Sequence, residues 1–139
     1  MRSFVLDASV ALRWFLDRAV PPYAARVRQL LLAGSRAVVP ALWNLEMANA
    51  LAVAERRSVL ASDDVDRAAA SIEQLVLQAL DVDAAAVSVR NSLATARAFN
   101  LSSYDAVYLD LARREKLPLA TLDDHLRAAT TRAGVALLR

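Results

Sequence analysis

The sequence predicts one α/β domain in which a mostly parallel sheet lies between two layers of helices. Short apolar runs alternate along the chain with longer segments of helical periodicity, which is the pattern of parallel α/β proteins. The length of 139 residues suits a single domain with its own hydrophobic core. No repeat, low-complexity tract or long linker divides the chain, so we assign residues 1–139 to one domain.

Each expected element follows from a local pattern. Strands are assigned to short apolar runs bounded by turn-forming residues, and helices to segments whose apolar residues recur three or four positions apart. The expected strands are 3–6, 37–39, 79–82, 117–120 and 135–138. The expected helices are 7–16, 23–33, 40–55, 62–79, 84–99, 102–112 and 125–131.

Turn-forming residues define several of these boundaries. Pro21 and Pro22 separate the first two helices, and Gly34 follows the second helix as a C′ residue. Gly134 precedes the last expected strand. In the helix expected at 84–99, we assign Val87, Leu93 and Ala94 to the core.

Two acidic residues occupy unusual places in this pattern. The stretch 40–53, PALWNLEMANALAV, is apolar or small on nearly every side, which predicts a buried helix, and Glu46 is its only ionisable residue. A lone buried carboxylate needs a compensating partner, either a basic residue or a metal ion. Asp7 ends the first strand, where parallel α/β sheets place their ligands. The structural alternative for Asp7 is a helix N-cap.

Asp105 and Asp123 are the other two candidate site acids. Ser102-x-x-Asp105 matches a capping box, so Asp105 has a competing structural explanation. Thr121-x-x-Asp124 matches the same motif. We therefore assign Asp124 to capping and leave Asp123 as the freer acid, although the doublet keeps the fourth position ambiguous.

Four gathered carboxylates require a cation. Two carboxylates about 5 Å apart repel by roughly 3 kcal/mol at an effective dielectric of 20, and four could not all stay ionised at neutral pH without a metal. Oxygen ligands, with no Cys and one His in the chain, favour Mg²⁺ or Mn²⁺ over zinc. Without metal, an amide replacement should leave the fold intact. A clear fall in stability for Asp7→Asn or Asp105→Asn would favour capping instead.

Composition excludes several classes of function. The absence of Cys excludes disulfides, zinc–thiolate sites and thiol catalysis, and it is consistent with a reducing cytoplasm. No apolar run approaches the roughly 18 residues of a membrane span, and the N-terminus lacks the apolar region of a signal peptide. The net charge is +2; if four acids share one site, 11 acidic residues face 17 Lys and Arg elsewhere. This basic surplus suits nucleic acid, but it equally suits a compositional bias toward arginine.

Four segments in order resemble the successive motifs of PIN-domain ribonucleases, and most closely those of the VapC-type toxins of bacterial toxin–antitoxin pairs. These segments are FVLDASVALRWFL, PALWNLEMANAL, LSSYDAVYLDLA and LATLDDHL. The resemblance covers essentially the whole chain and implies a three-layer α/β/α sandwich. It implies Mg²⁺ held chiefly by Asp7 and Asp105, with Glu46 and Asp123 completing the cluster. Ser9 and Thr121 match small hydroxyl positions near that centre.

The resemblance also implies an activity and partners. The activity would be endonucleolytic hydrolysis of RNA by metal-activated water, and the partners a small antitoxin and a second copy of the chain. Candidate RNA-phosphate ligands, each of which could be a solvated charge, are Arg13, Arg18, Arg113, Arg114 and Lys116.

The alternatives within this family are a non-toxin nuclease for RNA processing and a catalytically silent binding module. Outside it, a receiver-like domain would need an Asp pair at the first strand, and a haloacid-dehalogenase-type phosphatase would need Asp where Ser9 stands. We expect His125, the single histidine, to be a surface or capping residue.

Overall fold

The computed structural model describes residues 3–139, which form seven helices and four strands. Strands alternate with helices along the chain, as the sequence predicts. The strands are β1 (Ser3–Leu6), β2 (Arg36–Pro40), β3 (Leu80–Asp83) and β4 (Leu119–Ala120). The helices are α1 (Ala8–Leu16), α2 (Pro22–Leu32), α3 (Leu42–Arg56), α4 (Ser62–Ala79), α5 (Val89–Phe99), α6 (Ser103–Glu115) and α7 (Asp124–Arg132).

All four strands are parallel and lie in the order β3-β2-β1-β4. Val5 pairs with Val38 of β2 on one side and with Leu119 of β4 on the other, so β1 is an inner strand. The carboxyl ends of the strands therefore meet at one edge of the sheet. The prediction of a parallel sheet sandwiched between helices is confirmed.

The sheet is covered by apolar side chains, which explains why β1 can be central. Phe4, Val5 and Leu6 have no exposed surface, and α6 packs against β1 and β2 with Tyr108 and Leu109 fully buried. Strands buried on both faces are continuously hydrophobic, as β1 is. This packing fixes the position at which the chain leaves β1, namely Asp7.

Two sequence expectations about the elements were wrong. The strand expected at 135–138 forms only a single parallel bridge, between Leu137 and Leu119. The helix expected at 84–99 begins at Val89, because the Ser88 hydroxyl accepts a hydrogen bond from the Asn91 amide and caps it there.

The expected core of this helix was also wrong. The side chains of Val87 and Leu93 are 62% and 44% exposed. The buried residues of α5 are Ser92 and Thr95, and the Thr95 hydroxyl donates to Asp110 of α6 at 2.7 Å. Polar contact with α6 thus replaces the apolar contact that we expected.

Helix α3 is buried on one face, whereas the sequence suggested burial on every side. Trp43, Met47, Leu51 and Ala54 face the interior. Leu45 is 70% exposed. An alanine-rich helix can leave small and apolar residues in water, because the folded surface of any protein remains largely apolar. Across residues 3–139, none of the helices has both the length and the hydropathy of a membrane span.

Candidate active site

The carboxyl ends of β1 and β4 hold a buried polar network. The Asp7 amide donates to the Ala120 carbonyl at 2.9 Å. Asp7 and Thr121, the residues that directly follow the two strands, therefore lie side by side. The hydroxyls of Ser9 and Thr121 both donate to Oδ2 of Asp7, at 2.6 and 2.7 Å. Asp7 is 4% exposed and Thr121 is fully buried. Two hydroxyl donors thus fix one carboxylate oxygen at the edge of the sheet.

Asp7 occupies the N-cap position of α1, yet its side chain makes no capping hydrogen bond. The capping alternative is therefore not realised in its side chain. Burial raises the pKa of Asp7, the hydrogen bonds from Ser9 and Thr121 oppose this rise, and the charge of Asp123 adds to it. A carboxylate held in this way favours a positive charge beside it.

Glu46 lies on α3 and reaches the same edge. Its partner within the protein is neither basic nor a metal ligand but the phenol of Tyr108, which donates to Oε1 at 2.5 Å. Burial raises the pKa of Glu46, this hydrogen bond lowers it, and the charges of Asp7 and Asp105 raise it. The pKa of Tyr108 is raised by burial and by Glu46, so the phenol remains a hydrogen-bond donor.

Asp105 lies in the first turn of α6, which Ser102 caps. The backbone N–H of Asp105 donates to the Ser102 hydroxyl at 3.1 Å. Burial is the main cause that raises the pKa of the Asp105 carboxyl to about 6, and the charges of Asp123 and Asp7 contribute. His125 lies close enough to lower it. Asp105 can therefore exchange a proton near neutral pH.

The assignment of the Asp123-Asp124 doublet needs correction. Asp123, and not Thr121, is the N-cap of α7, and its Oδ1 accepts the Leu126 amide at 2.8 Å. The Thr121 hydroxyl accepts the Asp123 amide at 3.0 Å while it donates to Asp7. Asp124 is the exposed first residue of α7. Asp123 caps the helix and still contributes its charge to the pKa of Asp7 and Asp105.

The structure brings these four acids together into one electrostatically coupled cluster, Asp7, Glu46, Asp105 and Asp123. Each of the ion pairs that the described residues form lies elsewhere in the fold. The cluster is therefore a concentration of negative charge without a guanidinium or ammonium partner.

This donor set fits a divalent cation that keeps part of its water shell. Among residues 3–139, no three Asp, Glu or His side chains are arranged to enclose an ion by themselves. Mg²⁺ characteristically binds through one or two carboxylates and completes its coordination with water and substrate phosphate. The carboxylate oxygens match this mode of binding, and their arrangement does not match an ion enclosed by protein.

The basic residues chosen from the sequence are not gathered around the acids. Arg13 pairs with Asp17 at 2.8 Å, and Arg114 pairs with Asp83 at 2.7 Å. Arg113, which stacks on Phe99, and Lys116 lie at the other end of α6, roughly 12–16 Å along the helix axis from Asp105. Arg18 is exposed beyond the end of α1.

Arg127 is a site-proximal residue that the sequence did not single out. Its guanidinium donates to the carbonyl oxygen of Thr121 at 2.9 Å. The only available signal was its position, four residues after the N-cap of α7, where a helical side chain points back toward the helix start. Without knowledge that Asp123 is that N-cap, this signal could not be used.

Comparisons with known proteins agree with this architecture. A family model described as "PIN domain" matches residues 4–131. PAE2754 from Pyrobaculum aerophilum is similar in structure, with a TM-score of 0.67 and 22% identity over 92% of this chain and 79% of that one. FitAcB from Neisseria gonorrhoeae has a TM-score of 0.68 and 18% identity over 98% and 96% of the two chains. No curated protein sequence matches. At these identities the two structures support the fold alone.

Proposed function

The chain belongs to the PIN-domain family, whose members are generally nucleases, and from this premise we propose that it is a cytoplasmic Mg²⁺-dependent endoribonuclease that acts as the toxin of a type II toxin–antitoxin pair. The toxin role rests on the resemblance of its four motifs to those of VapC-type proteins. The nuclease role is also supported by the acid cluster at the carboxyl end of the sheet.

One observation carries the nuclease proposal: the acids at the sheet edge repel one another and have no basic partner. Burial, and to a lesser degree their mutual repulsion, raises the pKa of Asp7, Glu46 and Asp105. Folding retains this unfavourable arrangement at the edge where parallel sheets bind ligands. Perturbed carboxylates clustered in this way are characteristic of functional sites, because they favour the binding of a cation.

In this proposal Asp7 and Asp105 hold the metal, and Mn²⁺ can replace Mg²⁺. When bound, a divalent cation neutralises charge on the phosphate and lowers the pKa of water. Ser9 and Thr121 orient Asp7 through its Oδ2 atom, and Tyr108 orients Glu46 through Oε1. Asp123 adds negative charge while it is anchored to the start of α7.

Glu46, which does not hold the metal in this proposal, is the group suited to accept a proton from the attacking water. It is half-buried, and burial raises its pKa. A base whose pKa lies near the working pH is the most effective in general base catalysis. Tyr108 remains protonated and therefore positions Glu46 without taking the proton itself.

Cleavage of total cellular RNA by the purified protein tests the nuclease proposal. We expect discrete fragments with Mg²⁺, none with EDTA, and none with Asp105→Asn. The matched control is Asp81→Asn, an exposed aspartate at the far edge of the sheet, which should cleave as the wild type does. Cleavage by Asp105→Asn would contradict the assignment of the site. Absence of cleavage by a protein that binds Mn²⁺ would indicate a silent binding module instead.

The toxin role needs a cellular test. Induced expression of the wild type should arrest growth, whereas Asp105→Asn expressed to the same level should not. Growth unaffected by a protein that cleaves RNA in vitro would favour an RNA-processing nuclease.

We also propose a homodimer, and an antitoxin that covers the site. Exposed apolar residues such as Leu32, Leu45 and Leu77, each at least 70% exposed, supply surface for such contacts. A mass near 15.1 kDa in light scattering would reject the dimer.

A further inference from the structure

A groove of about 620 Å³ lies beside the acid cluster, between the start of α2, the middle of α7 and the C-terminal segment 135–139. Three arginines line it: Arg26 from α2, Arg127 from α7 and Arg139. No Asp or Glu side chain is among its lining residues. The groove therefore contrasts with the acid cluster, because it has cationic side chains and no acidic side chain.

Tyr23 organises the arginines of this groove. The guanidinium of Arg26 lies 5.7 Å from the centre of the Tyr23 ring, and that of Arg127 lies 5.5 Å from it. The Tyr23 hydroxyl donates to the Leu138 carbonyl at 2.8 Å, which fixes the ring. Cation–π contacts hold both side chains near one place, although neither forms an ion pair with the described residues.

The groove opens at the same edge of the sheet as the acids. Leu137 bridges Leu119 in parallel, so residues 138 and 139 extend toward the edge reached by Thr121. The Arg127 guanidinium contacts the carbonyl of Thr121, whose hydroxyl contacts Asp7. One threonine therefore connects the basic groove to the acid cluster.

We infer that this groove binds the phosphodiester backbone of RNA next to the phosphate at the acid cluster, an inference that rests on the proposed nuclease function. RNA bound at four carboxylates needs compensating cations close by, and planar guanidinium groups suit phosphate oxygens. The half-buried Tyr23 ring holds two of these cations in place. An acidic protein segment would match the arginines, but it would gain nothing from proximity to the carboxylates.

RNA binding measured without catalysis tests this inference. The probe is a fluorescein-labelled single-stranded oligouridylate, titrated with the intact protein in EDTA at several salt concentrations. Loss of one phosphate contact lowers the slope of log K against log salt by about 0.7, which near 0.1 M salt weakens binding about fivefold. We expect this change for Arg26→Gln and for Arg127→Gln.

Matched variants separate charge from structure. Arg26→Lys and Arg127→Lys keep the charge and should restore most of the salt slope, whereas a purely structural role of Arg127 at Thr121 would not be rescued by Lys. Arg56→Gln removes an equivalent exposed charge at the far end of α3, roughly 15 Å along the helix from Glu46, and should bind as the wild type does.

Two outcomes would overturn the inference. One is an unchanged salt slope in both Gln variants. The other is unchanged RNA binding together with weakened binding of oligoglutamate, which would assign the groove to an acidic protein segment. The assay requires no cleavage. A protein that binds RNA through this groove but does not cleave it would therefore refute the nuclease proposal and still support RNA binding by the groove.

Discussion

Strands β3 and β1 of the same sheet lead to aspartates in opposite electrostatic settings. At the outer strand β3, Arg36 donates to both carboxylate oxygens of Asp81, at 2.8 and 3.1 Å, and this pairing holds the pKa of Asp81 below its usual range. At the end of the inner strand β1, Asp7 receives side-chain hydrogen bonds from the hydroxyls of Ser9 and Thr121, and burial raises its pKa.

The difference shows what distinguishes a structural acid from a functional one in this fold. The chain contains 17 Lys and Arg, so guanidinium partners are abundant. At the β3 edge they neutralise Asp81 and Asp83. At the carboxyl end of β1, the hydroxyls of Ser9 and Thr121 orient the Asp7 carboxylate without cancelling its charge. The charge therefore remains available to an ion from solution.

The sharpest contrast should be in catalysis. Asp7→Asn should lower the rate of RNA cleavage at least about 100-fold, because it removes a metal-binding charge. An asparagine carbonyl can still accept from Ser9 and Thr121, so the fold should be unaffected. Asp81→Asn should change the rate by less than about twofold, since it affects only a surface ion pair. Initial rates with Mg²⁺ and circular dichroism spectra of both variants check this. An equal loss of cleavage rate in the two variants would contradict the prediction.

The second contrast is in the response to metal. At 100 times its dissociation constant, Mg²⁺ or Mn²⁺ should stabilise the wild type by about 2.7 kcal/mol, which raises Tm by about 8 °C. Asp81→Asn should respond equally, whereas Asp105→Asn should lose most of the response. Calorimetric scans with and without metal measure this. A full response in Asp105→Asn would exclude that carboxylate as a ligand.

The third contrast is in stability without metal, where the two substitutions should change Tm in opposite directions. Asp105→Asn removes a half-buried repulsive charge and should raise stability by about 1 kcal/mol, after a reduction for solvent screening, or Tm by about 3 °C. Asp81→Asn removes an attractive partner of Arg36 and should lower Tm slightly. Thermal melts in EDTA at pH 7.5 decide the sign. A lower Tm for Asp105→Asn would mean that its structural role at the start of α6 dominates.

The smallest contrast is in pH dependence. The folded pKa of Asp105 is about 6, above the unfolded value near 3.9, so between these values the native state binds more protons and stability rises as pH falls. We expect the metal-free wild type to gain up to about 1 kcal/mol relative to Asp105→Asn between pH 7 and pH 4.5.

The pKa of Asp81 is lowered, so its contribution is present above its unfolded pKa and is lost only in more acidic solution. Asp81→Asn should therefore parallel the wild type across the same range. Urea titrations at several pH values measure both differences, and a stability gap between the wild type and Asp105→Asn that does not change with pH would contradict the first.

Local pattern was sufficient for most of the fold. Strand β1 was recognisable because a run buried on both faces must be continuously apolar, and α4 because its apolar residues follow the helical period. The errors occurred where tertiary contact overrides local pattern. Ser88 ends the irregular segment before α5, and the exposed face of α3 has alanines and leucines that a buried helix would also have.

The site shows the same division. Local sequence was enough to predict which acids lie at strand ends and helix starts, because strand and helix periods place Asp7 and Asp105 there whatever their neighbours are. Their distant partners depend on tertiary packing, which brings Tyr108 to Glu46 and the Thr121 hydroxyl to Asp7. These contacts join residues as many as 114 positions apart. A hydrogen bond depends on distance in space, and sequence periodicity carries no information about which distant side chains the packed sheet brings within that distance.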